Sequence, residues 1–155
     1  MGRSPSNGRC VAARNVGRVY LCGRMTNTPG FSFHVFDAVA GELRERGIEV
    51  VTPSELDSPS SRQAARASEG GDADAYYAAT GESRGVLMGR DVRIVIDDVD
   101  CVVVIPGWRK SRGARLETFA AWLHDRPVLY YPTLRRVPFA ALLSAWVGRS
   151  GRWES

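Results

Sequence analysis

The sequence predicts an α/β fold: a parallel sheet of four to five strands with helices on both faces. Two observations carry this. Short apolar runs alternate along the chain with longer stretches of helical periodicity, the pattern of βαβ units. One run, Cys101-Val102-Val103-Val104-Ile105, is apolar throughout, as expected for a central parallel strand buried on both faces. Right-handed crossovers leave few topologies for that order, and a flavodoxin/Rossmann-like sheet is the expectation.

The elements follow in order. Residues 1–17, rich in Gly, Ser, Asn and Arg, read as a disordered basic leader, and 18–155 as one domain. Arg18–Gly23 reads as a short buried strand, followed by a loop to Gly30. Phe36, Val39, Ala40 and Leu43 recur at helical spacing within 31–46, and Gly47 suits a C-cap. Ile48–Val51 is a second strand, stopped by Thr52-Pro53. Residues 54–82 are polar and rich in Ser, Gly, Ala and Asp, which suggests a flexible insertion or lid. A helix is expected over 83–97, with Val86, Leu87, Val92, Ile94, Val95 and Ile96 as its apolar members. The Val-rich strand covers 100–105, a loop 106–112 and a helix 113–124. A strand at 127–131, a helix at 137–147 and a tail bearing Trp153 complete the chain.

Composition bounds the function. A chain of 155 residues, 44% hydrophobic and 25% charged, is ordinary for a soluble globular domain and excludes collagen, a coiled coil and wholesale disorder. No apolar run approaches the ~18 residues that would span a membrane. The N-terminus has no apolar stretch after its arginines, so no signal peptide is expected. The net charge of +4 equals the four arginines of residues 1–18, Arg3, Arg9, Arg14 and Arg18. The remainder is neutral, so strong nucleic-acid binding is not expected. Cys10, Cys22 and Cys101 form no CxxC pair and no metal spacing, and His34 and His124 stand apart. No metal, no disulfide and no cofactor are expected, and the odd cysteine count suggests a reducing cytoplasm.

In parallel sheets, ligands sit beyond the carboxyl ends of the strands, near the switch point. Two loops qualify, 23–30 and 106–113. In the second, Gly107 and Gly113 allow close approach of backbone to a ligand. Ser111 either caps the following helix or binds an anion at its N-terminus. Glu117, about a turn further on, leans back toward that end, or is an acid favoured there by the helix dipole. Arg109, Lys110, Arg112 and Arg115 crowd the same stretch, as a phosphate site or as a solvated loop, and Lys110 is the only lysine of the chain. Asp91 stands on the preceding helix, while Asp97, Asp98 and Asp100 suit a turn.

These segments resemble the nucleoside 2-deoxyribosyltransferase-like superfamily. Tyr20-Leu21-Cys22-Gly23 is similar to its first strand and glycine turn, and Arg90-Asp91 to its pattern on the helix. Ser111-Arg112-Gly113-Ala114-Arg115-Leu116-Glu117 is similar to its Ser-x-Gly-x-x-x-Glu stretch. Within it the chain resembles 2'-deoxynucleoside 5'-phosphate N-hydrolases and a group from phages and actinobacteria, through Tyr20–Thr26 and Pro106–Glu117. The hydrolases place an Arg a few residues after the first glycine, whereas here Arg24 follows Gly23 directly.

The resemblance implies cleavage of the N-glycosidic bond of a nucleoside or its 5'-monophosphate, 2'-deoxy by preference, as hydrolase or transferase. It implies Glu117 as an ionised nucleophile, Asp91 as general acid or sugar ligand, and Tyr20 as the group orienting Glu117 and the sugar. Ser111, with Gly23, Arg24, Arg112 and Gly113, would hold substrate and phosphate. Trp108 either stacks on the base or anchors its loop. Tyr76 and Tyr77 read as surface residues before lid residues, and Phe31 and Phe33 as a helix anchor before a base platform. The resemblance also implies a homodimer or larger, with Trp146 and Trp153 at the contact. Two other readings stay open: a nucleotide-binding module without turnover, and hydrolysis of a larger nucleotide such as NAD.

Overall fold

The computed structural model describes residues 16–148. Most of the expected leader, Cys10 and Trp153 lie outside these residues. Among the described residues there are four strands: β1 (Val19–Cys22), β2 (Val50–Val51), β3 (Cys101–Val104) and β4 (Val128–Tyr130). All pair in parallel, in the order β2-β1-β3-β4, the arrangement of a flavodoxin-like sheet. The order reverses between β1 and β3, so the crevice falls at the ends of those two strands.

Side-chain parity along β1 and β3 divides the core. Val19, Leu21, Cys101 and Val103 face α1 (Phe33–Glu45) and pack on Phe36, Val39, Ala40 and Leu43. Tyr20, Cys22, Val102 and Val104 face the other way. They meet Val95 of α5 (Arg84–Asp97), Ala114, Ala120 and Ala121 of α6 (Arg112–Leu123), and Leu142 and Ala145 of α7 (Phe139–Trp146). Successive strand residues point to opposite faces, so Tyr20 and Cys22 share the face on which α6 lies. Gly23 follows β1 at a crowded position, where a Cβ would lie 3.1 Å from the Phe36 ring and 3.3 Å from Ile105.

Residues 54–82 depart from the expected flexible insertion. They fold into α2 (Pro53–Leu56), α3 (Pro59–Ala67) and α4 (Ala73–Thr80). Pro53 and Pro59 occupy first helical turns, where proline's missing N–H costs nothing. Ser58 accepts from the Ser61 amide and Asp72 from those of Asp74 and Ala75, and Gly81, at φ 74°, closes α4. The segment reads as polar because it buries few side chains. Ala65 and Tyr76 pack on Phe31 and Phe33, forming a satellite core.

That core is held against the loop after β1. The Asn27 amide donates to the Gly71 carbonyl at 2.9 Å, and the Gly30 amide to that of Ser68 at 2.7 Å. Gly30, Phe31 and Ser32 have φ of 56°, 51° and 56°, a left-handed run that is costly for the two non-glycine residues. Gly71 is left-handed as well, and a Cβ there would fall 2.2 Å from the Thr28 carbonyl oxygen. Among the described residues no helix is long and apolar enough to cross a membrane.

Gly71→Ala therefore has no room and the wrong backbone preference. It should lower stability by about 1–3 kcal/mol in urea unfolding. It should also speed proteolysis within 59–82 while the rest of the chain stays protected. An unchanged unfolding midpoint would show that the loop and the helical segment are not seated on each other.

Candidate active site

A cavity of about 430 Å³ opens beyond the ends of β1 and β3. The loop after β1 contributes Gly23, Arg24 and Met25, and the turn before α1 contributes Phe31 and Phe33. The helical segment contributes Asp57, Tyr76 and Tyr77, and α5 contributes Leu87, Arg90 and Asp91. Lys110, Ser111, Arg112, Gly113 and Glu117 complete it. Cations thus come from the two strand-end loops and from α5, and aromatics from residues 31–33 and 76–77.

Ser111 fixes the start of α6 by accepting a hydrogen bond from the Ala114 amide at 3.2 Å. Glu117 then falls in the second turn, on the side facing sheet and cavity, and is buried. The Tyr20 hydroxyl donates to its Oε1 at 3.3 Å. The Cys22 thiol donates to its Oε2 at 2.9 Å. The carboxyl thus rests on two neutral donors from one face of β1.

Burial pushes Glu117 up to about 7, opposed by the Cys22 hydrogen bond, reinforced by the Asp91 charge and opposed again by Tyr20 and Arg90. Against the expectation of an ionised carboxylate, Glu117 is thus partly ionised and partly protonated at neutral pH. Desolvation dominates, and the cation acting on the group is Arg90 rather than the arginines of 109–115. Burial likewise raises Tyr20 and Cys22 well above their usual values, with the Glu117 charge adding to it, so both remain protonated donors. Asp91 is also raised by burial, although Arg90 and Tyr20 pull it down. A carboxyl that titrates near neutrality can attack an electrophilic carbon or carry a proton.

Arg90 joins the acids. Its Nε donates to Asp91 at 2.9 Å and its Nη1 to Asp57 at 2.8 Å. The other Asp57 oxygen accepts from the Tyr76 hydroxyl at 3.2 Å. The chain Asp91–Arg90–Asp57–Tyr76 ties α5 to the helical segment across the cavity. Phe31 and Tyr76 pack with ring centroids 5.3 Å apart, and Tyr77 meets Tyr76 at 5.7 Å.

The structure brings together Glu117, Asp91, Gly23, Arg24, Ser111, Arg112 and Gly113 around the cavity, with Tyr20 beneath Glu117. It does not bring Trp108 there. Gly107, at φ 91°, and a 3₁₀ turn over Trp108–Lys110 fold the indole back into the core, 3% exposed. Of the two readings of Trp108, the loop anchor holds. Tyr76 is buried and lines the cavity, against the surface expectation. Phe31 and Phe33 line it too. Sequence reading missed Cys22 as a partner of Glu117, although its parity with Tyr20 was legible. It also missed Asp57, whose partner Arg90 is 33 residues away. Among the described residues, no group of three or more His, Cys, Asp and Glu side chains is placed to hold a metal ion.

A folded-state value of about 7 for Glu117, against an ordinary 4.5, means that the folded protein keeps a proton the unfolded chain has released between those pH values. Stability therefore falls as pH rises through that window, by about 3 kcal/mol if the whole difference is expressed. Glu117→Gln removes this dependence. In urea unfolding it should gain stability over wild type on going from about pH 5 to about pH 8. Identical pH dependence in the two proteins would mean that Glu117 is not desolvated.

Among curated proteins no sequence matches the chain. A family model described as a domain of unknown function, DUF4406, matches residues 17–130. The matched span runs from β1 through β4 and includes Tyr20, Cys22, Asp57, Arg90, Asp91, Ser111 and Glu117. The chain belongs to the DUF4406 family.

Proposed function

We propose that the protein cleaves the N-glycosidic bond of a nucleoside or nucleoside 5'-monophosphate, 2'-deoxy by preference, with Glu117 as nucleophile. The observation that carries this reading is Glu117 itself: a carboxyl on the floor of a nucleotide-sized cleft, held by Tyr20 and Cys22, with Asp91 across from it. The resemblance of the surrounding motifs to nucleoside 2-deoxyribosyltransferase-like proteins points the same way.

The chemistry follows that of a retaining glycosidase. A Glu117 oxygen attacks C1' of the sugar as the bond from C1' to the base nitrogen breaks. The bonding electron pair leaves with the base, which takes a proton from Asp91 as general acid. The glycosyl ester on Glu117 is then opened by water, which gives a proton to the Asp91 carboxylate. A second base in place of water makes the same enzyme a transferase. Arg24, Lys110 and Arg112, with the N-terminus of α6, suit a 5'-phosphate, and the Ser111 hydroxyl retains its proton for it. Phe31, Tyr76 and Tyr77 offer an aromatic wall for the base.

One observation favours a larger nucleotide such as NAD as the substrate. A second cavity of about 260 Å³ also has Arg24 and Lys110 in its wall, together with Phe36, Ile105 and Pro106. A group attached beyond the 5'-phosphate has room there.

A homodimer belongs to the same proposal. Leu116, Phe119, Trp122 and Leu123 of α6 and Phe139 and Leu143 of α7 are each at least 40% exposed. Trp122 stacks on Phe119 and Phe139, and Trp146 meets Phe119 edge-on and Trp122 at a tilt, across the two helices. A contiguous apolar face of this kind is unusual on a monomer, and a second copy presents its own equal face under two-fold symmetry. Wild type should sediment as a dimer and Trp122→Glu as a folded monomer; a monomeric wild type removes the dimer.

The function is tested by incubating the protein with a pool of nucleosides, their 5'-monophosphates and NAD, reading products by chromatography and mass spectrometry. Wild type should release free base, and Glu117→Ala should lose at least about a thousandfold in rate. Release from NAD alone selects the larger substrate. Retention of a nucleotide without any product replaces catalysis with binding.

A further inference from the structure

Glu117 has two oxygens, and the protein treats them differently. Oε2 accepts from the Cys22 thiol at 2.9 Å, while Oε1 accepts from the Tyr20 hydroxyl at 3.3 Å, a long O–H···O contact. Gly113 lines the cavity, and a Cβ built on it would lie 4.0 Å from Oε1. Both oxygens meet β1 side chains, but Oε1 lies near Gly113 of the cavity wall and is held by the longer contact, while Oε2 is held by the thiol. The thiol has one proton and two acceptors in reach, Oε2 and the Ala114 carbonyl at 3.5 Å. The shorter contact, to a carboxyl, takes it.

We propose that Cys22 is a positioning residue: its S–H pins Oε2, sets the rotation of the Glu117 carboxyl and leaves Oε1 as the oxygen that attacks C1'. This rests on the glycosidase reading for the attack, but not for the orientation. A thiol suits the task because it is a weak donor. It holds the carboxyl in place without drawing much charge from the attacking oxygen. The alternation of β1 makes the arrangement possible, since only residues two apart reach one face together. Cys101, the other described cysteine, faces α1 and serves as a small core residue.

The groups facing Glu117 are Tyr20 and Cys22 from β1 and Arg90 and Asp91 from α5. Tyr20 and Cys22 stay protonated through the neutral range and Arg90 stays charged, which leaves Asp91, raised by burial, as the other carboxyl whose charge bears on Glu117. Asp91→Asn removes that coupling and serves as background.

The test follows the Glu117 side-chain carboxyl carbon by NMR across pH, its signal assigned by loss in Glu117→Gln. It compares wild type, Cys22→Ala and Cys22→Ser, each also in the Asp91→Asn background. Loss of the donor in Cys22→Ala should move the Glu117 midpoint up by about one pH unit, a tenfold weaker acid. Cys22→Ser keeps a donor and should stay near wild type, with both variants folded by amide shift dispersion. On a nucleotide that wild type cleaves, Cys22→Ala should lower kcat about tenfold or more with KM nearly unchanged, and Cys22→Ser should restore most of it. An unmoved midpoint in Cys22→Ala, with turnover intact, reduces Cys22 to a core residue and leaves the glycosidase reading standing. A moved midpoint with no turnover by any protein keeps the positioning role and overturns the glycosidase reading. If Cys22→Ala alone fails to fold, the Ser variant decides: a midpoint displaced as far as that expected for alanine overturns the proposal.

Discussion

The parallel pairing of β1 with β3 is the constraint from which the rest of the site follows. Both strands are four residues long and buried on both faces. Every side chain on them is therefore committed to one of two helical layers. Odd positions of β1 go to α1 and even positions go to α6. A one-residue slip would exchange Tyr20 and Cys22 for Val19 and Leu21 and leave Glu117 on an apolar floor. The register that pairs Tyr20 with Val102 and Cys22 with Val104 thus sets the chemistry as well as the core.

A carboxyl buried in that layer demands compensation. The protein answers with a hydroxyl and a thiol rather than with a cation in contact. A direct ion pair would hold Glu117 firmly ionised and lower its readiness to react or to exchange a proton. The guanidinium is kept on α5 instead, where Arg90 bridges Asp91 and Asp57. Arg90 thereby carries both the charge balance of the cavity and the attachment of its far wall. The helical segment 53–80 is held near its start by this bridge and, between α3 and α4, by the backbone bonds of Ser68 and Gly71 to the loop after β1. Between them lies the left-handed run that turns Phe31 onto Tyr76. Backbone strain of this kind persists where surrounding contacts over-determine the conformation.

Much of this was legible from the amino-acid sequence. The Val-rich run, the helical spacing of Phe36, Val39, Ala40 and Leu43, and the capping signals at Gly47 and Ser111 are local properties, and each reappears in the fold. Side-chain alternation in a strand and the backward lean of helical side chains are local as well. Tyr20 and Glu117 could thus be placed at strand end and helix start before any contact was known. Residues 54–82 misled because their helices are stabilised by caps, by proline at first turns and by mostly small or polar buried side chains, Ser54, Ser61, Ala65 and Ala73, with Tyr76. None of these produces a hydrophobic period.

Only the tertiary structure decided how those pieces act on one another. Burial depth is a property of the assembled layers, so the rise of Glu117 toward neutrality could not be read from the sequence around it, which includes Arg112 and Arg115. Trp108 has the composition of a stacking platform, yet the turn after Gly107 directs it into the core. Asp57 carries no motif; it gains its place from Arg90 and Tyr76, brought near by chain folding. The α/β order, the strand parity and the positions of Tyr20, Asp91, Ser111 and Glu117 were readable from the chain alone, because these depend on local backbone geometry. The protonation of the site, its aromatic wall and the two-sided grip on Glu117 depend on distances between segments remote in sequence, and only the fold supplies those.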